Sequence, residues 1–394
     1  MGFLGGMFGS GRNRFGKKVL ERVLAYDAVE SAHFDPGAYE IAYRLKNGYA
    51  AKLELETLYR RFDGRITAAV FDAVDGLILP PQAPPDWDRV APMLRPVLRR
   101  AGYGAPRDGR NGVLVRPRLP YLSELVVIDL PTTVQFVTEQ DLSRWGVDAD
   151  EVYTVAHTNL TEPAMNALAA FEPDPGVRVF EFADEGGESY VGSLPLVAGW
   201  LSGVQARTGT RPLLFLPAHV GMFVALGATP ETLVRLQELA QERHDSAPRP
   251  LSTVPYTIDD EGELIPLPVG PEHPAYAPVR HAAITLAVSA YRAQTERLRA
   301  HRDEASGIAD LLHLHEPDGS ETTMTSWPDG LPNLLPKADH ICFVARDAEV
   351  FRVAWDDVAG LVPLYPTDGY DPPRYRVADH PPAEIMTRLR ALAR

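Results

Sequence analysis

Arg116-Pro117-Arg118 lies in a strand-like stretch. In an extended chain, alternation puts both guanidiniums on one side, and the intervening proline stiffens their spacing. Paired guanidiniums suit a carboxylate or a phosphate through bidentate hydrogen bonds. The plainer reading is that they pair with internal acids, Glu124 or Asp129. His157 and Asn159 fall at the end of the central helical stretch, and His219 in the turn between two apolar strands. A histidine in such a turn caps a strand end or lines a cleft. Arg116, Arg118, His157, Asn159 and His219 are therefore the candidate ligand-binding residues. If they met, they would form a site for a small anion.

Other reactive residue types point less far. His313-Leu314-His315 alternates on an expected strand, so both imidazoles share one face, but a third metal ligand at fixed spacing is missing. Solvated hairpin histidines are the expected reading, and no metal site is assigned. The single cysteine, Cys342, excludes an intrachain disulfide and a cysteine-based zinc site. It sits in the apolar run Ile341-Cys342-Phe343-Val344, the setting of a small buried residue and not of a reactive thiolate. The chain has no phosphate loop, dinucleotide loop, zinc-protease helix motif or nucleophile elbow. No catalytic residue is assigned, and no cofactor is expected.

The elements that must position these residues read as mixed α/β. After a glycine-rich tip, Phe15, Val19, Leu20, Val23 and Leu24 follow helical spacing among Arg14, Lys17, Lys18 and Arg22. One or two strands and a helix occupy about 38–78, followed by a Pro-rich linker at 79–87. A helix is expected through Val90, Met93, Leu94, Val97 and Leu98. Short strands run through Val113 to Val115, Leu125 to Ile128 and Val134 to Val137, and Asp148 with Glu151 starts the central helix. A helix through Leu196, Val197, Trp200 and Leu201 separates strands near Val177 to Phe182 and Leu213 to Leu216. Met222 to Leu226 is a further strand, and Thr229-Pro230-Glu231 starts another helix. A hairpin at 253–268 precedes a long helix over 275–302. The resulting organisation is an N-terminal helix in 1–30, an α/β core with a mixed sheet and flanking helices in 31–270, a connecting helix in 271–305, and a C-terminal β-meander with one helix in 306–394.

Composition removes several functions. The apolar share of 45% and charged share of 23% are those of a globular chain. A net charge of −14 without a dense Lys/Arg run opposes binding to a phosphate backbone, so nucleic acid is not an expected partner. No stretch approaches the ~20 apolar residues of a membrane span, and the N-terminus lacks the pattern of a secretory signal. The cytoplasm is the expected compartment. Residues 1–24 carry basic charge around an apolar stripe, which suits either a membrane surface or docking on the protein's own body; the second is favoured because Glu21 and Asp27 dilute the charge.

Residues of about 48–268 resemble the YtpQ-like family of uncharacterised bacterial proteins. The likeness rests on Ala51-Lys52-Leu53-Glu54-Leu55-Glu56-Thr57-Leu58-Tyr59-Arg60-Arg61-Phe62, on Val113-Leu114-Val115-Arg116-Pro117-Arg118, on Thr158-Asn159-Leu160, and on Leu216-Pro217-Ala218-His219-Val220-Gly221-Met222-Phe223-Val224-Ala225 before the Glu261-Gly262-Glu263-Leu264 hairpin. The resemblance implies no reaction, and the residues beyond 270 lie outside it. The absent catalytic motifs and the appended C-terminal module point to a non-enzymatic interaction or regulatory factor with a protein partner. The alternatives are a small anionic-ligand sensor or enzyme using the Arg/His residues, and peripheral membrane association through residues 1–24.

Overall fold

The computed structural model describes residues 5–46, 50–78, 83–104, 112–130, 133–171, 178–183, 190–300, 307–346 and 349–393. The chain divides into two compact units, Met1–Met93 with Val127–Gln135, and Leu94–Val126 with Phe136–Arg394. Helices flank antiparallel and mixed sheets, so the fold is of the mixed α/β class. Among the described residues, no helix is long and apolar enough to cross a membrane.

The first unit opens with α1 (Gly5–Leu24). Its Phe15, Val19 and Val23 recur every four residues, form one stripe and are almost wholly buried. They join the core made by the antiparallel sheet β1 (Val29–Asp35), β2 (Glu40–Leu45) and β3 (Ala50–Glu54), by α2 (Leu55–Arg61) and by Val70, Val74 and Ile78 of α3 (Ala68–Ile78). Phe15, Val19 and Val23 of the apolar stripe thus face the protein's own core, whereas Leu24 stays exposed. Residues 1–4 of the glycine-rich tip and 79–82 of the Pro-rich linker lie outside the described residues.

The helix expected through Val90 to Leu98 is instead a single turn, α4 (Trp87–Val90), followed by a strand, β4 (Leu94–Arg100). Pro92 and Pro96 explain the change, since each lacks an N–H and neither fits a helix interior. β5 (Val115–Leu119) and β6 (Leu122–Leu130) form a hairpin in a sheet ordered β4-β6-β5, with β7 (Thr133–Phe136) also paired to β6. α5 (Glu139–Trp145) was not anticipated, although Thr138 and Asp141 form a reciprocal capping box. α6 (Ala149–Ala169) starts on Asp148, whose carboxylate accepts from the Glu151 N–H at 2.8 Å, and runs unbroken through Pro163.

After β8 (Val179–Ala183), the helix expected from Leu196 begins later. Pro195 sits in a 3-10 turn, Gly199 takes a left-handed φ of 80°, and only then does α7 (Trp200–Thr208) start. β9 (Pro212–Ala218) and β10 (Gly221–Leu226) lie at the heart of a sheet buried on both faces. Leu214, Leu216, Met222 and Val224 pack with α6 and α7, whereas Phe215 and Phe223 stack at 4.5 Å beneath α8 (Pro230–Ser246). The hairpin β11 (Pro255–Ile258) and β12 (Leu264–Pro266) completes the order β12-β11-β9-β10-β8.

α9 (Tyr276–Ala300) leads into the C-terminal strands β13 (Gly307–Ile308), β14 (Leu312–His315), β15 (Glu321–Pro328), β16 (Asn333–Pro336), β17 (His340–Val344) and β18 (Val350–Ala354). The short α10 (Trp355–Ala359), β19 (Pro366–Thr367), β20 (Arg374–Val377) and α11 (Ala383–Ala391) follow. The hairpins β14–β15 and β17–β18 are those read from the turns, though residues 347–348 of the second turn lie outside the described residues. Parallel pairings, β15 with β17 and β13 with β16, organise these strands as two four-stranded sheets, which adjacent hairpins alone would not give. Cys342 is buried, and burial pushes its thiol pKa up, which keeps it protonated.

Arg374 fastens α9 to these sheets. It is wholly buried and donates to Gln294 Oε1 (2.6 Å), Thr295 Oγ1 (2.6 Å), the Ala309 carbonyl (2.7 Å) and the Leu334 carbonyl (3.0 Å). None of these acceptors is a carboxylate, and burial draws its pKa down to about 10. Arg374→Ala orphans several buried acceptors at once and is expected to cost about 3 kcal/mol or more. Arg374→Met should recover little of that, because the acceptors stay unpaired. Urea denaturation followed by Trp fluorescence measures both; a Met variant as stable as the parent would contradict the assignment.

Candidate functional site

The β5–β6 hairpin sets Arg116 directly opposite Glu124. Glu124 has no exposed surface, and a buried carboxylate needs cationic or hydrogen-bonding partners to stay charged. Arg116 Nε and Nη2 lie 3.1 to 3.2 Å from its oxygens. His157 Nε2, from α6, lies 2.5 Å from Oε1. Tyr153, one turn before His157, donates its hydroxyl to the Glu124 carbonyl at 3.2 Å, and its ring lies 3.9 Å beneath the Arg116 guanidinium.

Two donors therefore crowd one carboxylate. Arg116 Nη2 and His157 Nε2 are 3.3 Å apart, and because Nε2 gives its proton to Glu124, that approach is a shared acceptor and not a bond between them. Burial alone would raise the Glu124 pKa, but the hydrogen bonds and charges of His157 and Arg116 outweigh it and leave the carboxyl below its ordinary value.

Arg116 and His157 open onto a cleft of about 380 Å³ lined also by Tyr153, Thr154, Thr158 and Val197. Arg116 keeps 39% of its side-chain surface exposed and His157 keeps 26%, so both reach solvent while Glu124 does not. The arrangement offers a stacked, oriented guanidinium beside a histidine whose ring is held by a buried acid. Such a pair can hold a small anion.

The other candidates go elsewhere. Pairing slips between Pro117 and Leu119, which makes Arg118 the extra residue of a bulge, and a bulge re-aims a side chain. Arg118 reaches Glu263 at 3.6 Å and lines a different cleft with Tyr121, Tyr291 and Asp371. Asn159 is structural: its Nδ2 donates to the Leu94 carbonyl at 3.1 Å and ties α6 to β4. His219 occupies the tight turn between β9 and β10 and does not line the Arg116 cleft. Burial first, then the charges of Arg99, Arg249 and Arg100, pull its pKa down to about 3, so it is neutral at physiological pH. Its Nδ1 has no hydrogen-bond partner among the described residues.

Of the five residues read from the sequence, the structure thus brings together two, Arg116 and His157. Tyr153 was missed, although its i,i+4 spacing from His157 puts the two on one helix face. No protein-family model matches the chain, and no curated protein or solved structure matches it.

The burial asymmetry makes a prediction. Arg116→Ala leaves a buried anion with one partner and is expected to cost about 3 kcal/mol. Glu124→Gln leaves cations that can rehydrate and is expected to cost less, about 1–2 kcal/mol. The depressed carboxyl pKa contributes stability that is present above the unfolded-state value and is lost as pH falls through the folded one. Glu124→Gln should therefore flatten the acid limb of stability below about pH 4.5. Urea midpoints from pH 3 to 7 test both statements; equal costs, or an unchanged acid limb, would contradict the description of the triad.

Proposed function

We propose that the protein is a small-anion-binding protein, of sensor or regulatory kind, whose cleft is formed by Arg116 and His157. The observation that carries the reading is the convergence of these two side chains, from different elements, on one ligand-sized cleft. Glu124 holds both in place and offsets the charge of Arg116, so the site suits a small anion of low charge. A carboxylate or a phosphate satisfies the guanidinium edge that Glu124 leaves open.

Kinship of residues 48–268 with the YtpQ-like family and a cytoplasmic location belong to this proposal and rest on sequence pattern alone. The protein-partner reading has less support. The exposed apolar residues Leu312, Leu331, Val350 and Tyr365 are scattered over separate strands and loops, as on an ordinary surface.

Calorimetric titration with inorganic phosphate tests the anion reading. Binding at one site is expected, weakened at least about tenfold by Arg116→Lys, which keeps a charge for Glu124 but loses the planar fork. Arg118→Lys, at the neighbouring bulge, is expected to bind as the parent does. Equal affinity of the Arg116 variant and the parent would refute the proposal.

A further inference from the structure

The structure supplies what His313 and His315 lacked in the sequence. β14 and β15 form a hairpin in which His315 pairs directly with Glu321 and His313 with Thr323. Glu321 is the first residue of β15 and sits beside both imidazoles. A third histidine, His281, arrives from the first half of α9. His281 Nδ1 lies 2.8 Å from Glu321 Oε2, and His313 Nε2 lies 3.0 Å from the same oxygen. His315 Nδ1 is 3.6 Å from the other carboxylate oxygen, and its ring centroid is 4.7 Å from that of His313. The ligand atoms of His281, His313 and Glu321 all lie within 4.8 Å of one another.

We propose that His281, His313 and Glu321 form a binding site for a divalent transition-metal ion of the zinc class, with His315 available as a fourth donor. The donor set decides the class. Two or three imidazoles with one carboxylate suit zinc, cobalt or nickel, whereas calcium and magnesium take oxygen ligands. The geometry requires small movements. A tetrahedral ion with bonds of about 2.0–2.1 Å separates its ligand atoms by roughly 3.3 Å. The two nitrogen–oxygen separations of 2.8 and 3.0 Å need open only slightly, and the ion takes the place of the protons now shared with Glu321.

The framework around the cluster is fixed. β14 and β15 are locked by their ladder, and α9 is fastened to the C-terminal sheets by Arg374, Tyr291 and Gln294. Asp339 accepts from the Thr323 backbone N–H and hydroxyl, both at 2.7 Å, and pairs with Arg280, the residue before His281. These contacts hold the helix and the hairpin at a constant spacing, so little ordering is left for the ion to impose. His281 and Glu321 also line a cleft of about 740 Å³ between α8, α9 and β15. That cleft gives the ion a path in and room for water or a further ligand on its open side.

A plain hydrogen-bonded surface cluster would look similar without metal, and titration separates the two. Tag-free full-length protein is titrated with Zn²⁺ by calorimetry, and with Co²⁺ by visible absorption, which reports coordination directly. One equivalent of each ion is expected to bind, Zn²⁺ displacing Co²⁺, with the Co²⁺ band of a four- or five-coordinate site. His313→Ala and Glu321→Gln are each expected to weaken binding by about 100-fold or more. His315→Ala should keep one-to-one binding. Zn²⁺ should also raise the melting temperature of the parent and leave that of Glu321→Gln unchanged, because only ligated protein gains from linkage. Parent protein that takes up no stoichiometric Zn²⁺ at micromolar concentration would overturn the proposal. So would a His313→Ala variant of unchanged affinity. The phosphate titration at Arg116 is independent of both outcomes.

Discussion

Glu124 is a charge with no water around it, and the arrangement near Arg116 follows from that. A carboxylate stripped of solvent keeps its charge only if cations or donors replace the lost hydration. The hairpin partner Arg116 and the α6 residue His157 supply that replacement, and Tyr153 closes the arrangement by stacking on the guanidinium and bonding the Glu124 backbone. One buried acid thus orients two half-buried groups from different elements. Preorganisation of this kind lowers the entropy that a ligand would otherwise have to remove on binding.

α9 plays the corresponding part in the C-terminal region. It packs Ala282 and Leu286 into the core shared with β9 and β10, and Ala287 and Tyr291 into the core of the last sheets. Arg374 and the Tyr291 hydroxyl hold it against those sheets through buried hydrogen bonds. A helix fixed along most of its length carries His281 to a set position beside the β14–β15 hairpin. The chemistry of His281, His313 and Glu321 is therefore a consequence of packing that lies well away from them.

Much of this was legible in the sequence because it is local. The Asp148 and Thr229 caps, the α1 stripe, the hairpin turns before Glu321 and the alternation of His313 with His315 all follow from neighbours a few residues apart. The alternative partner named for Arg116, Glu124, is the one it has. What failed was of two kinds. Pro92 and Pro96 broke a helix that apolar spacing alone suggested, and Pro195 with Gly199 delayed another. The rest was tertiary. A one-residue bulge sent Arg118 to Glu263, and the meeting of His281 with His313 spans a helix and a hairpin that no local spacing records.

Occupancy of the Arg116 cleft tests the central claim most directly. Side-chain NMR can follow the Nε–H groups of Arg116 and Arg118 in one sample during titration with inorganic phosphate at constant ionic strength. The account predicts a saturable shift of the Arg116 resonance together with that of the His157 ring, while Arg118 stays in place. Movement of both arginines in parallel, or of neither, would contradict it.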